Sequence, residues 1–249
     1  MSLLIGSVYV DHPRSQTWYK LQTQFLKRTT KDYEHVIYLN GKNYNFYTES
    51  KVLEVNSEPA ETAQLGHSRG LNAIIDHFNN HEEFDDLLLL DSDCFPFRIR
   101  WQEDLTSAME DKFGVAAIVR YENLDTFAHP SFFYVTRDKT KDLKFGHNPN
   151  TNMVGFEFDD TSSNSTDPFF PLVRTNRLNY HPVLCGVYWN RFYHHGAGSR
   201  SLEFRLFYHY FNENNNVSSL EEKLFEELVD DPHKFMKKIS LPAFARKMY

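Results

Sequence analysis

Hydrophobic positions in the first half of the chain switch between strand-like and helix-like spacing. Leu3 to Val10 is apolar and β-branched and reads as a strand, broken by Asp11-His12-Pro13-Arg14. Ser15 to Leu26 sets Trp18, Leu21, Phe25 and Leu26 on one side of a helix. His35 to Asn40 reads as a second strand, ended by Asn40-Gly41, and Val52 to Asn56 as a third. Thr62 to Phe78 returns to helical spacing through Leu71, Ile74, Ile75 and Phe78. The chain then runs Asp85-Asp86-Leu87-Leu88-Leu89-Leu90-Asp91-Ser92-Asp93-Cys94-Phe95-Pro96. Its leucine run is too short for a globular helix and fits a strand buried on both faces, as in the middle of a parallel sheet. Pro96 helps to stop that strand. A helix over Trp101 to Lys112 and strands over Gly114 to Val119 and Ser131 to Thr136 follow. Alternation of this kind predicts an α/β fold, a mostly parallel sheet with helices on both faces.

The pattern changes after about Arg137. Lys139 to Asn179 is polar, and a structureless loop of that length is unusual in a compact domain, so short strands or a lid are expected. Val183 to Tyr188 reads as a late strand, and His194-His-Gly-Ala-Gly-Ser-Arg200 as a glycine-bearing loop. Ser219 to Val229 reads as a helix with Ser219 as N-cap and Glu222 three residues on; Asp231 to Ile239 reads as a second, shorter one. The expected organisation is a single domain over 1–249. Residues 1–137 form its sheet-rich half, 138–210 an irregular second half, and 211–249 a helical extension.

Composition narrows the function classes. The 249 residues are 41% hydrophobic, enough for one large core, and the 16% of aromatics also allow a cleft that stacks on sugar or base rings. A net charge of −7 argues against a nucleic-acid binder that works by phosphate neutralisation. The two cysteines, Cys94 and Cys185, are no disulfide framework, which favours a reducing, cytoplasmic setting. The N-terminus has no basic region before its short apolar run, and no segment is long and apolar enough to span a bilayer.

Asp91 and Asp93 emerge where the leucine strand ends. Ligands of open α/β sheets bind beyond the carboxyl ends of the strands. Two carboxylates one residue apart can hold a hard divalent cation that shares its oxygen ligands with phosphates. The plainer alternative is a surface turn with two solvated acids.

Taken with the runs His67-Ser-Arg-Gly-Leu-Asn72, Leu-Asp91-Ser-Asp93-x-Phe-Pro, His129-Pro-Ser-Phe-Phe and His194-His-Gly-Ala-Gly-Ser-Arg200, this order of pieces resembles GT-A glycosyltransferases. The detail is similar to small bacterial and large-DNA-virus members, over roughly Leu3 to Arg205. The resemblance implies a nucleotide-binding α/β sheet with an acceptor-side second half. It implies transfer of a sugar from a UDP- or GDP-sugar to a glycan, lipid-linked or other hydroxyl acceptor, with Mn²⁺ or Mg²⁺ as cofactor. It makes Asp93 the direct metal ligand and Asp91 a ribose-facing residue or a weaker ligand. Ser92 offers its N–H to ribose or phosphate. A late histidine completes the metal set, His195 being preferred to His194 because Gly196 follows it. Gly196 and Arg200 then approach phosphate, Arg69 and Asn72 face the diphosphate or sugar, and Asp11 faces base or ribose. An inverting enzyme needs a carboxylate base, for which Asp160 comes first, then Asp159 and Asp167. The structural alternatives are an N-cap for Asp91, packing against Tyr188 and Tyr193 for the histidines, an Asx-turn for Asp11, a surface arginine on a first helical turn for Arg69, and solvated loop acids for Asp160, Asp159 and Asp167.

Two rivals stand beside this. A non-catalytic sugar-nucleotide or glycan-binding module keeps the metal site but lacks a working base. A haloacid-dehalogenase-type phosphatase also uses Asp-x-Asp at a strand end, but its nucleophilic strand comes first and carries Thr or Val where Phe95 stands here.

Overall fold

The computed structural model describes residues 2–41, 46–56, 63–121, 127–148, 152–153, 156–157, 160–163, 168–175, 186–196 and 217–240. The chain begins β1 (Leu3–Val10), α1 (Ser15–Thr29), β2 (Tyr33–Asn40), β3 (Lys51–Asn56), α2 (Ala63–Asn79), β4 (Asp86–Asp91) and β5 (Cys94–Pro96). It continues α3 (Trp101–Met109), β6 (Val115–Ile118), β7 (His129–Thr136) and α4 (Arg137–Thr140). The short strands β8 (Phe145–Asn148), β9 (Asn152–Met153), β10 (Phe156–Glu157), β11 (Asp160–Ser163) and β12 (Phe170–Leu172) come next. It ends with β13 (Gly186–Tyr188), β14 (Phe192–His194), α5 (Val217–Asp230) and α6 (Pro232–Ser240).

The main sheet has the order β12-β6-β7-β4-β1-β2-β3. Neighbours are parallel except around β7, which runs antiparallel to both β4 and β6. This is the expected class, a mostly parallel sheet covered by helices. The leucine run lies at its centre because both faces there are dry. Leu88 and Leu90 pack with Leu26, Trp101 and Leu105, while Leu87 and Leu89 pack with Leu71, Ile74 and Phe78 of α2. Successive strand residues face opposite sides, so only a continuous apolar run fills both. Each such burial contributes about 1.5–3 kcal/mol.

Two glycines set how close α2 lies. A Cβ on Gly6 would stand 2.3 Å from Ile74 Cγ2, and one on Gly70 would stand 2.6 Å from Val8 Cγ2. The helix therefore rests almost on the backbone of β1, which brings its early turns to the carboxyl ends of the strands.

Three features add to the pattern-based expectation. The C-terminal helices pack into the core: Leu224, Leu228, Phe235, Met236 and Ile239 share one cluster with Trp18, Phe25, Phe95 and Tyr193. The polar stretch holds short strands, as expected, and β12 joins the main sheet parallel to β6. A second antiparallel sheet, β13-β14-β5, sits beyond β4. Its strands have three residues each, too few for an alternating pattern to show. A tight turn joins β13 to β14, with Arg191 N–H donating to Tyr188 C=O at 3.0 Å. Trp189 and Asn190 are left-handed there, at φ 50° and 52°, which matches the twist of a hairpin. Among the described residues, no helix is long and apolar enough to cross a membrane.

Candidate metal centre

β4 delivers Asp91 to the carboxyl edge of the sheet, and the chain turns through Ser92 and Asp93 into β5. β5 pairs with β14 so that His194 stands opposite Cys94. His195 N–H also donates to the Asp93 carbonyl at 3.1 Å. These backbone ties carry a residue far along the chain to the two acids. His194 Nε2 lies 3.5 Å from Asp91 Oδ2 and 3.5 Å from Asp93 Oδ1. One ligand atom from each of Asp91, Asp93 and His194 lies within 4.8 Å of the others. His67 reaches the same acid from α2, its Nε2 3.2 Å from Asp91 Oδ1. The side chains of Asp93 and His194 are 7% and 8% exposed, whereas that of Asp91 is 21% exposed, so the group opens to solvent at Asp91.

Burial by itself pushes both carboxyls up, but the imidazoles outweigh it. His194 and His67 hold Asp91 well below the usual carboxylate range, and His194 holds Asp93 below it. His194 itself is pulled down by burial and pushed up more strongly by the two acids, to about 9. At neutral pH the group thus carries two negative charges and one proton in a nearly dry place. A pair of buried carboxylates needs a positive partner. Here the imidazolium plays that part, and a divalent cation fits the same role. Two carboxylate oxygens and one imidazole nitrogen form a donor set that a divalent cation can take. A cation held there would require His194 to give up its proton, because only neutral imidazole ligates.

The structure places the other site candidates individually. His195, preferred in the sequence as ligand, is fully buried and turned away: its Nδ1 lies 2.8 Å from Tyr193 Oη and its Nε2 2.9 Å from Glu221 Oε1. Both ring nitrogens are thus engaged, and the geometry favours His194. Asn72 donates to Phe145 C=O at 3.0 Å and accepts from Phe145 N–H at 2.8 Å, so its amide ties α2 to β8. Ser92 is buried within the acidic turn. Gly196 is buried and left-handed at φ 70°, a conformation that favours glycine. Asp11 is exposed and follows β1 at the same sheet edge, since Val8 registers with Asp91. Arg69 is exposed on α2, two residues after His67. Asp160 opens β11, opposite Asn148 of β8. Asp159, Asp167 and Arg200 lie outside the described residues. Sequence reasoning gave no role to His67. Nothing in its local pattern separates it from an ordinary helix-surface histidine.

No protein-family model and no curated protein matches the chain. Solved structures similar to it include A197 from STIV, at TM-score 0.35 and 14% identity over 57% of this chain and 68% of that one. S. aureus TarS 1-349 is similar at TM-score 0.37 and 13% identity, over 54% of this chain and 47% of that one, and TarS 1-349 has also been solved with UDP-GlcNAc. A glycosyltransferase involved in glycosylation of the PBCV-1 major capsid is similar at TM-score 0.35 and 10% identity, over 56% and 62%. This chain thus spans less than two thirds of the TarS and PBCV-1 proteins. Likenesses this remote assign no activity to the chain.

Proposed function

We propose that the protein is a metal-dependent glycosyltransferase of the GT-A type. It moves a sugar from a UDP- or GDP-sugar to a hydroxyl of a glycan or lipid-linked acceptor. The observation that supports this is the convergence of Asp91, Asp93 and His194 at the carboxyl edge of a mostly parallel sheet. A cation held there, Mn²⁺ or Mg²⁺, would supply a Lewis acid for the charge that develops on the departing diphosphate.

The chain's own residues do the remainder. Asp93 and His194, both buried, would hold the cation from the side away from solvent. Asp91, the most open of the three, lies on the donor's side. Ser92 and the left-handed Gly196 bring main chain close to ribose and phosphate, with Arg69 and Asp11 as further donor contacts, and Arg200, which follows Gly196 in the sequence, as a phosphate partner. For inversion, a carboxylate in the polar second half takes the acceptor's proton, Asp160 first, then Asp159 or Asp167.

Thermal melting with UDP, GDP and their sugars, each with and without Mn²⁺, tests this. A ligand that binds only the native state raises the melting temperature. A rise that needs one nucleotide and Mn²⁺ together is expected, followed by slow hydrolysis of the matching sugar donor. A nucleotide-dependent rise without donor turnover would instead favour a binding module. No rise with any pair would overturn the proposal.

A further inference from the structure

We infer that Gln22 is a positioning residue for the metal group, an inference that rests on the cation site proposed above. Gln22 lies on α1, distant in sequence from every ligand, and is fully buried. Its Nε2 donates to two main-chain carbonyls, Asp91 C=O at 2.9 Å and Cys94 C=O at 2.8 Å. Those carbonyls bracket the turn that carries the acids. The other end of the amide is equally committed: Gln22 Oε1 accepts from Ser7 Oγ at 2.9 Å and Tyr9 Oη at 2.7 Å. Carbonyl oxygens only accept, so the nitrogen must face the turn and the amide has one orientation.

All four hydrogen-bonding positions of the amide are therefore filled, and the side chain joins α1, β1 and the acidic turn in a single unit. The carboxylates of Asp91 and Asp93 repel one another at the spacing that binds metal. A turn free to relax would splay them. Gln22 holds its two ends at fixed separation, and cation sites of this kind tolerate little misplacement of their oxygens. His35 backs the arrangement, its Nε2 lying 3.4 Å from Ser7 Oγ.

Mn²⁺ alone is the probe, titrated into the full chain and read by the loss of the free-ion electron paramagnetic resonance signal. Gln22→Met keeps length and removes both donors; Gln22→Glu keeps shape and sets acceptors against both carbonyls. Ser7→Ala and Tyr9→Phe are controls that weaken the same buried network from behind without touching the turn. Gln22→Met and Gln22→Glu are expected to bind Mn²⁺ at least tenfold more weakly than the parent. The controls are expected to stay within about threefold even where their melting temperature falls as far. Affinity that simply tracks melting temperature across all four variants would overturn the inference, as would failure of both Gln22 variants to fold. A parent that binds no Mn²⁺ removes the metal site itself. A parent that binds while the Gln22 variants bind equally well removes only the role of Gln22.

Discussion

His195 Nε2 lies 2.9 Å from Glu221 Oε1, and neither side chain has any exposed surface. Arg14 adds its guanidinium to the same carboxylate and lies 4.1 Å over the Phe225 ring. Burial works to raise Glu221, but His195 and then Arg14 hold it down at about 2. The C-terminal helix α5 is thereby joined through charge to the strand that presents His194. Glu221→Ala leaves His195 and Arg14 facing a cavity and is expected to destabilise the protein by roughly 3–5 kcal/mol. Glu221→Gln, which keeps an acceptor, should lose clearly less. Urea denaturation of the two variants checks this, and equal losses would show that the carboxylate charge, not a neutral acceptor, carries the interaction.

His194, the last residue of β14, and His195, just beyond it, face different partners and so have separable roles. His194→Ala is expected to weaken Mn²⁺ binding by at least about tenfold, near 1.4 kcal/mol. His195→Ala is expected to act mainly on stability, by about 2–4 kcal/mol, because it leaves a cavity in the core and removes one of the two partners of buried Glu221. Calorimetric titration with Mn²⁺ beside denaturation curves for both variants distinguishes them. A larger loss of metal affinity in the His195 variant would return the ligand role to that residue.

Legibility in the sequence tracks the length over which each signal repeats. β1, α1, β2, β3, α2 and β4 each span six or more residues, and their spans in the structure agree with the sequence within a few residues. Asp91 and Asp93 were legible because a fully buried strand has only one place to end. His194 against His195 was not, because the strand that orients them is three residues long and its register comes from β5, distant in sequence. The tie of Asn72 to Phe145 was not legible, because an amide in the middle of a helix serves a ligand or a neighbouring backbone equally well. His67 and Gln22 reach the acidic turn only through tertiary packing, which no local pattern records.

His35 predicts a pH dependence independent of the metal group. Burial lowers it from 6.5 to about 3, while its Nδ1 lies 3.0 Å from Ser50 Oγ. The unfolded chain takes up the proton near pH 6.5 and the folded one does not until about pH 3. The contribution is therefore fully present above pH 6.5 and is lost as pH falls towards 3, at about 1.4 kcal/mol per pH unit. His35→Gln should flatten the stability curve between pH 6 and 4 relative to the parent. Denaturation across that window in both proteins measures the difference, and parallel curves would refute the assignment.

Gly70 sets the position of α2 against the sheet, and two effects of opposite sign meet there. Alanine gains about 1 kcal/mol over glycine inside a helix. Its Cβ would stand 2.6 Å and 2.9 Å from the two γ-carbons of Val8 and 2.8 Å from Tyr38 Cδ1. Val8 is β-branched on a strand paired on both sides, and Tyr38 is buried beside it, so neither can withdraw cheaply. Overpacking of this kind costs typically about 1–3 kcal/mol, which outweighs the helical gain. Gly70→Ala should therefore destabilise by about 1–2 kcal/mol and draw His67 away from Asp91. Adding Val8→Ala supplies the missing room. Val8→Ala made on top of Gly70→Ala should then cost less than Val8→Ala made alone, a coupling that a double-mutant cycle reads directly. Strict additivity of the two changes would mean that α2 is not held by this contact.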